Sequence, residues 1–241
     1  MSFEKLFNHS ALKALRYLTS LLLALLVVAI FAEGIQAADS FSVSSSDSAI
    51  LDKKQGTVRL IGSVSIVQKT TGSTLKADEI FLRRNRLSGK LVYAKATKFV
   101  EALLIQKKTA TQSLSTRKTK VFCNEAVFDK DKSTAYLEGN VLVVSYDMRM
   151  TAEKLRYDLK EENGVITNLP GKKVVFLFSK ERKPSQGFLP EKPDQQGLVE
   201  GKASEIRFSE SLNKLVLQGN VTLYDHDEEA SFASEKADLF F

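Results

Sequence analysis

One stretch of the chain is written three times. Residues 126–145, AVFDKDKSTAYLEGNVLVVS, have the form strand, tight turn, strand. Positions 49–62 and 206–219 align on 126–139 without a gap. Asp52-Lys53 then falls on Asp129-Lys130, Leu60 on Leu137 and Leu217, Gly62 on Gly139 and Gly219, and Val64 on Val141 and Val221. A second signature follows each glycine: Ala77-Asp78-Glu79, Ala152-Glu153-Lys154 and Ser234-Glu235-Lys236. The glycines are 77 and 80 residues apart. A fixed period of this kind predicts stacked supersecondary units, in three repeats over 49–120, 121–199 and 200–241.

Within each repeat the apolar residues recur every second position. Val58, Leu60, Val64 and Ile66 alternate with Arg59, Ser63 and Ser65, as in a strand buried on one face. The phase then slips by one: from Leu75 and Ala77 to Ile80 and Leu82, from Met148, Met150 and Ala152 to Leu155 and Tyr157, and from Phe232 and Ser234 to Ala237 and Leu239. An apolar set stays on one side across an odd step only where the backbone bends or bulges. The Ala-Asp/Glu signature is therefore a corner built into each repeat. No long stretch after residue 40 has helical periodicity, and the fold class is all-β, a solenoid-like stack of antiparallel strands.

The N-terminus has the order of an export signal. Lys5, Lys13 and Arg16 precede an apolar run over 18–32, Glu33 and Gly34 break it, and Gln36-Ala37-Ala38 offers a cleavage site. The run is shorter than the roughly 20 residues of a spanning helix, so the sequence predicts a signal peptide over 1–37, removed near Ala37, with an uncleaved anchor as the alternative. Residues 38–48 read as a flexible lead-in. The net charge of +6 suits anionic partners, and export turns that charge away from nucleic acid. Lys107, Lys108, Arg117, Lys118 and Lys120 form a basic segment without an acid, read as a solvated loop or a rim facing an anionic head group. Three of the four prolines fall in 180–197, a second loop. The third repeat reaches Phe241 just past its corner, which predicts an unpaired sheet edge.

Residues for chemistry are scarce. His9 and His226 cannot form a metal cluster with one cysteine, and the acid-rich run 225–229 sits where a turn is expected. There is no Gly-x-Ser-x-Gly elbow, phosphate loop or dinucleotide motif, and Cys123 opens a repeat strand, where a buried thiol is the ordinary outcome. Carboxylates recur at corners, whereas a catalytic site occurs once. The chain does not read as an enzyme, and no cofactor is expected. What remains is the inward apolar set: Leu60, Val64, Ile66, Leu137, Val141, Val143, Met148, Met150, Leu215, Leu217, Val221 and Leu223. These residues fill a core or line a groove for acyl chains, and sequence alone leaves both open.

The motif LEGNVLVV (137–144) followed by MTAEKLRYD (150–158) resembles the OstA-type repeat of the LptA family, shared with LptC and the N-terminal part of LptD. The resemblance covers residues 41–241, with Ser63 replacing the corner asparagine in the first repeat, and the segments 106–120 and 180–197 departing as insertions. It implies an open β-jelly-roll in the periplasm that shields the acyl chains of lipopolysaccharide, with the basic rim toward the lipid A phosphates. It also implies edge-strand pairing with inner-membrane LptC-like and outer-membrane LptD-like partners, head-to-tail self-association, and energy from an ATPase elsewhere. Two other readings stay beside it: an LptC-like anchored subunit, and an exported β-solenoid scaffold with a filled core.

Overall fold

A computed structural model of the chain describes residues 41–44, 47–106, 117–180, 182, 184–209, 212 and 214–240. The export signal expected over 1–37 lies outside these residues. Among the described residues fourteen strands form one hydrogen-bonded sheet. They are β1 (Phe41–Ser44), β2 (Ser48–Asp52), β3 (Thr57–Gln68), β4 (Thr74–Arg84), β5 (Leu91–Gln106), β6 (Arg117–Asp129), β7 (Thr134–Val144) and β8 (Met148–Asp158). Then come β9 (Asn163–Thr167), β10 (Val174–Ser179), β11 (Leu198–Ala203), β12 (Glu205–Ser209), β13 (Lys214–Asp225) and β14 (Ala230–Phe240). The architecture is all-β and antiparallel throughout, as the sequence predicts.

The strands are long because each crosses a corner and serves two walls. Wall A holds β2, β9, β12 and the corresponding halves of the long strands, including 57–61 of β3 and 134–138 of β7. Wall B holds β1, β10, β11 and the other halves, including 64–68 of β3 and 141–144 of β7. Where the corner breaks the hydrogen bonding, one strand becomes two: β1 with β2, β9 with β10, and β11 with β12. Counted this way, β1+β2, β3, β4, β5, β6, β7, β8, β9+β10, β11+β12, β13 and β14 make eleven levels, each bonded to the level before and after it in sequence.

The corner joins the two repeat signatures in one device. Between Glu138 and Val141 of β7, Gly139 and Asn140 stand opposite Glu153 of β8, two residues against one. Gly219 and Asn220 stand likewise opposite Glu235, and Gly62 and Ser63 opposite Asp78. Both residues of each pair are left-handed, with φ of 80° and 51° at Gly139 and Asn140 and 79° and 47° at Gly219 and Asn220. Glycine and asparagine adopt that conformation at low cost. The acid on the next strand accepts the N–H that the bend frees: Asn140 N–H donates to Glu153 Oε2 and Asn220 N–H to Glu235 Oε2, each at 3.4 Å. The inward phase changes across Ala-Asp/Glu, where the sequence places the slip, while the extra residue lies on the Gly-Asn strand.

The far margin of wall A is turned by side-chain caps. Asp52 Oδ1 accepts from Gln55 N–H at 2.9 Å, Asn85 Oδ1 from Leu87 and Ser88 N–H at 3.0 Å, and Asp129 Oδ1 from Lys132 N–H at 3.2 Å. The repeated Asp-Lys pair of the sequence is this turn.

Three expected loops take more definite form. Phe41–Ser44, inside the expected lead-in, is strand β1 and pairs with 65–68 of β3. Arg117–Lys120, read as part of a basic loop, opens β6 and pairs with 103–106 of β5. The proline-rich segment folds back over the β7–β8 turn: Leu189 N–H donates to Ser145 O at 2.7 Å, Arg182 Nε to Tyr146 O at 2.8 Å, and Leu189 is 1% exposed.

Candidate functional site

The corner keeps one side of every strand facing the interior, so the two walls present continuous apolar inner faces. All twelve inward residues expected from the sequence, Leu60, Val64, Ile66, Leu137, Val141, Val143, Met148, Met150, Leu215, Leu217, Val221 and Leu223, are buried in one apolar cluster. Leu60 stands opposite Ile80, Leu137 opposite Leu155, and Val143 opposite Met150. A sheet face is this well covered only if another surface lies on it, so the two walls close on one another along a seam.

The seam is lined unevenly. On wall A, Ala96 stands opposite Ala126, and Phe128 lies between Ala94 and Ala135, all buried. Here one wall sets alanine methyl groups around a single aromatic ring. Further along, aromatic rings fill the space. Phe208 lies over Gly164 of the neighbouring strand and stacks on Tyr157 with centroids 6.0 Å apart, and Phe176 lies over Gly201. Sequence reasoning missed these alanines because alanine carries little weight in a period-two pattern.

Toward the free margin of wall B the lining turns polar. Ser73, Thr119, Ser145, Asp147, Ser179 and Asp225 are all buried there. Ser145 Oγ donates to Asp147 Oδ1 at 2.8 Å. Lys180 Nζ reaches Asp225 at 2.6 Å and Asp227 at 3.3 Å, and Gly197 N–H donates to Asp227 Oδ1 at 2.6 Å. The acid-rich run 225–229 therefore latches the proline-rich loop to the β13–β14 turn. The Gly197 amide, with Lys180 beside it, holds the Asp227 carboxyl below its usual range. Burial pulls the Lys180 ammonium down, but Asp225 and Asp227 outweigh it and the net shift is upward. Burial pushes the Cys123 thiol up to about 12, which leaves it a packing group.

Of the five cations expected at a rim, three fall within the described residues. Lys107 and Lys108 lie outside the described residues. Arg117 pairs with Gln106 at the margin of wall B. Because Thr119 and Val121 are buried, the strand alternation turns Lys118 and Lys120 to the outer face, where Lys120 Nζ lies 5.0 Å from the centre of the Phe188 ring. Val144 is also outward by alternation, yet the fold leaves it only 5% exposed.

The sequence profile of the family described as LptA/(LptD N-terminal domain) LPS transport protein matches the chain over residues 45–163 and again over 120–236. The chain belongs to this family. The two matches together span 45–236, which is the stack from just before β2 into β14. Among solved structures it is similar to the crystal structure of LptH, the LptA homologous periplasmic component of the conserved lipopolysaccharide transport device from Pseudomonas aeruginosa. Identity is 19%, the TM-score 0.41, and the match covers 60% of this chain and 90% of that one. No curated protein sequence matches.

Proposed function

We propose that this member of the LPS transport family is a periplasmic carrier that takes the acyl chains of lipopolysaccharide between its walls and passes them along the stack. The observation that carries this reading is the apolar seam, which runs through every level from β3 to β13. Both terminal levels have a side that pairs with nothing among the described residues: β14 bonds only to β13, and β1 and β2 only to β3. Edge strands of this kind accept another strand. Copies joined there, with LptC-like and LptD-like proteins at the two ends, would align their seams into one apolar path bridging the membranes.

The facing residues of the seam are buried against one another, so loading means parting two apolar walls. Each methylene taken from water returns about 0.8 kcal/mol, and the covering of one wall by another is replaced by covering with acyl chains. The short alanine side chains at 94, 96, 126 and 135 offer the least resistance. Polar groups at the wall B margin then stand at the depth of the lipid A head group. Lys118 and Lys120 reach a head group only from outside the wall.

The test is a photo-crosslinking amino acid at Val143, with the exposed outer residue Thr151 as control, irradiated in cells. A lipopolysaccharide adduct at 143 and none at 151 is the expected result. No adduct at either site in folded protein means the seam stays shut, and the scaffold reading replaces this one.

A further inference from the structure

The outer faces of the two walls are built differently. On wall A, acids and bases pair: Arg59 with Glu79 at 2.6 Å, Lys95 with Glu125 at 2.8 Å, Lys154 with Glu138 at 3.2 Å and Lys214 with Asp238 at 2.8 Å. On wall B the outward positions from β5 to β10 carry an apolar patch instead, with Leu103, Phe122, Leu142, Val175 and Leu177 half-buried among Glu101, Lys120 and Thr151. Around that patch stand Lys76, Lys98 and Lys118, all exposed, and Arg149, half-buried, four cations against the one acid Glu101 that lies opposite Lys76. None of the four takes part in an ion pair among the described residues.

At the corner above the patch is an anomaly. The β5 corner bulges against Asn124 of β6 as the Gly-Asn corners do against their acids, but its two left-handed residues are Lys98 at φ 62° and Phe99 at φ 53°. The sister corners use Gly62-Ser63, Gly139-Asn140 and Gly219-Asn220. A bulky side chain disfavours this backbone. The Phe99 ring is in addition 83% exposed. Strain and exposure both oppose stability, and a residue that keeps both marks a contact the isolated chain does not make.

We propose that the Phe99 corner and the outer face of wall B dock on an anionic phospholipid bilayer, with the ring below the head groups and the lysines on their phosphates. The cations select a negative partner, and a lone aromatic ring on a ridge between lysines suits an interface that is wet at one depth and apolar at the next. The neighbours of Phe99 along the ridge, the acid Asp78 and the amide Asn124, are both hydrophilic, so the ridge lacks the broad apolar centre of a protein interface, and Lys98 beside them offsets the one negative charge. This inference does not depend on what fills the seam.

The experiment compares the protein, purified as cells produce it, with a Lys98→Gly/Phe99→Asn variant that restores the corner of the sister repeats. Both sediment with vesicles of phosphatidylcholine, with and without phosphatidylglycerol. Wild type is expected to bind the anionic vesicles, and the variant to bind them about tenfold more weakly while melting no lower. A photo-crosslinker at position 99 is expected to capture phospholipid in cells. Binding by the variant that equals wild type, wild-type indifference to phosphatidylglycerol, or capture of a discrete protein at 99 each overturns the proposal. The adduct expected at Val143 is unaffected in the variant, so failure here and failure of the carrier reading are separable.

Discussion

At Gly139 a Cβ would lie 2.5 Å from Asn124 Nδ2 on a backbone at φ +80°, so Gly139→Ala meets both a conformational and a steric obstacle. We expect a loss of about 1–3 kcal/mol, read as a lower denaturant midpoint at unchanged slope. Cys123 is expected to stay unmodified by thiol reagents at neutral pH until the chain unfolds, because burial holds it protonated. Lys180→Met strands Asp225, whose side chain is 4% exposed, without its cation, and should cost about 3–5 kcal/mol by the same denaturant measurement. The pH response of this latch follows from the signs. Asp227 is depressed in the folded state, so its contribution is full above the unfolded value near about pH 4 and is lost as pH falls through the depressed one. Lys180 is raised, so its contribution is full below about pH 10 and is lost as pH rises through the raised value. The Gly197 amide resonance should therefore hold still between these limits and move beyond either of them.

Among the elements, the corner shows what sequence reveals and what it hides. Leu75, Ala77, Ile80 and Leu82 print the phase slip of β4 directly, because the interior accepts only apolar groups and their spacing survives in the sequence. The partner half of the corner was visible as Gly-Asn without its mechanism, since the hydrogen bond from Asn140 to Glu153 joins residues on different strands. The β5 corner was illegible, because neither Lys98 nor Phe99 carries a turn signature. Strand β1 and the start of β6 look like loops in the sequence, because serines and lysines dominate them and their ladder partners lie elsewhere in the chain. The crossing of Phe176 over Gly201 was likewise unreadable. A Cβ at 201 would enter that ring, so Gly201→Ala should push wall B apart locally and lower stability by about 1–3 kcal/mol in a thermal or denaturant melt.

For the whole molecule, the inward face could be assigned from alternation alone, but not whether the two walls touch. Alternation fixes the side to which Val143 points and says nothing about the distance to what it faces. The terminal levels carry a prediction of their own. Ile50 and Leu51 are 54% and 59% exposed on β2, apolar side chains on an edge that among the described residues pairs only with β3. Replacing both by lysine should weaken self-association by tenfold or more in sedimentation equilibrium, while each change alters monomer stability by no more than about 0.5 kcal/mol.

The broken first level has a mechanical consequence. Each level advances the stack by about 4.8 Å, so a pull along its length draws on all the hydrogen bonds of one level together, and a filament parts where that set is smallest. The first level meets β3 through four residues on one wall and five on the other, the same four and five that join β8 to β10 and β9 inside the molecule. A joint through that face would therefore hold about as firmly as the levels within each copy. A pulled filament would share its load evenly between its molecules and within them, with no weak point built in at the joints.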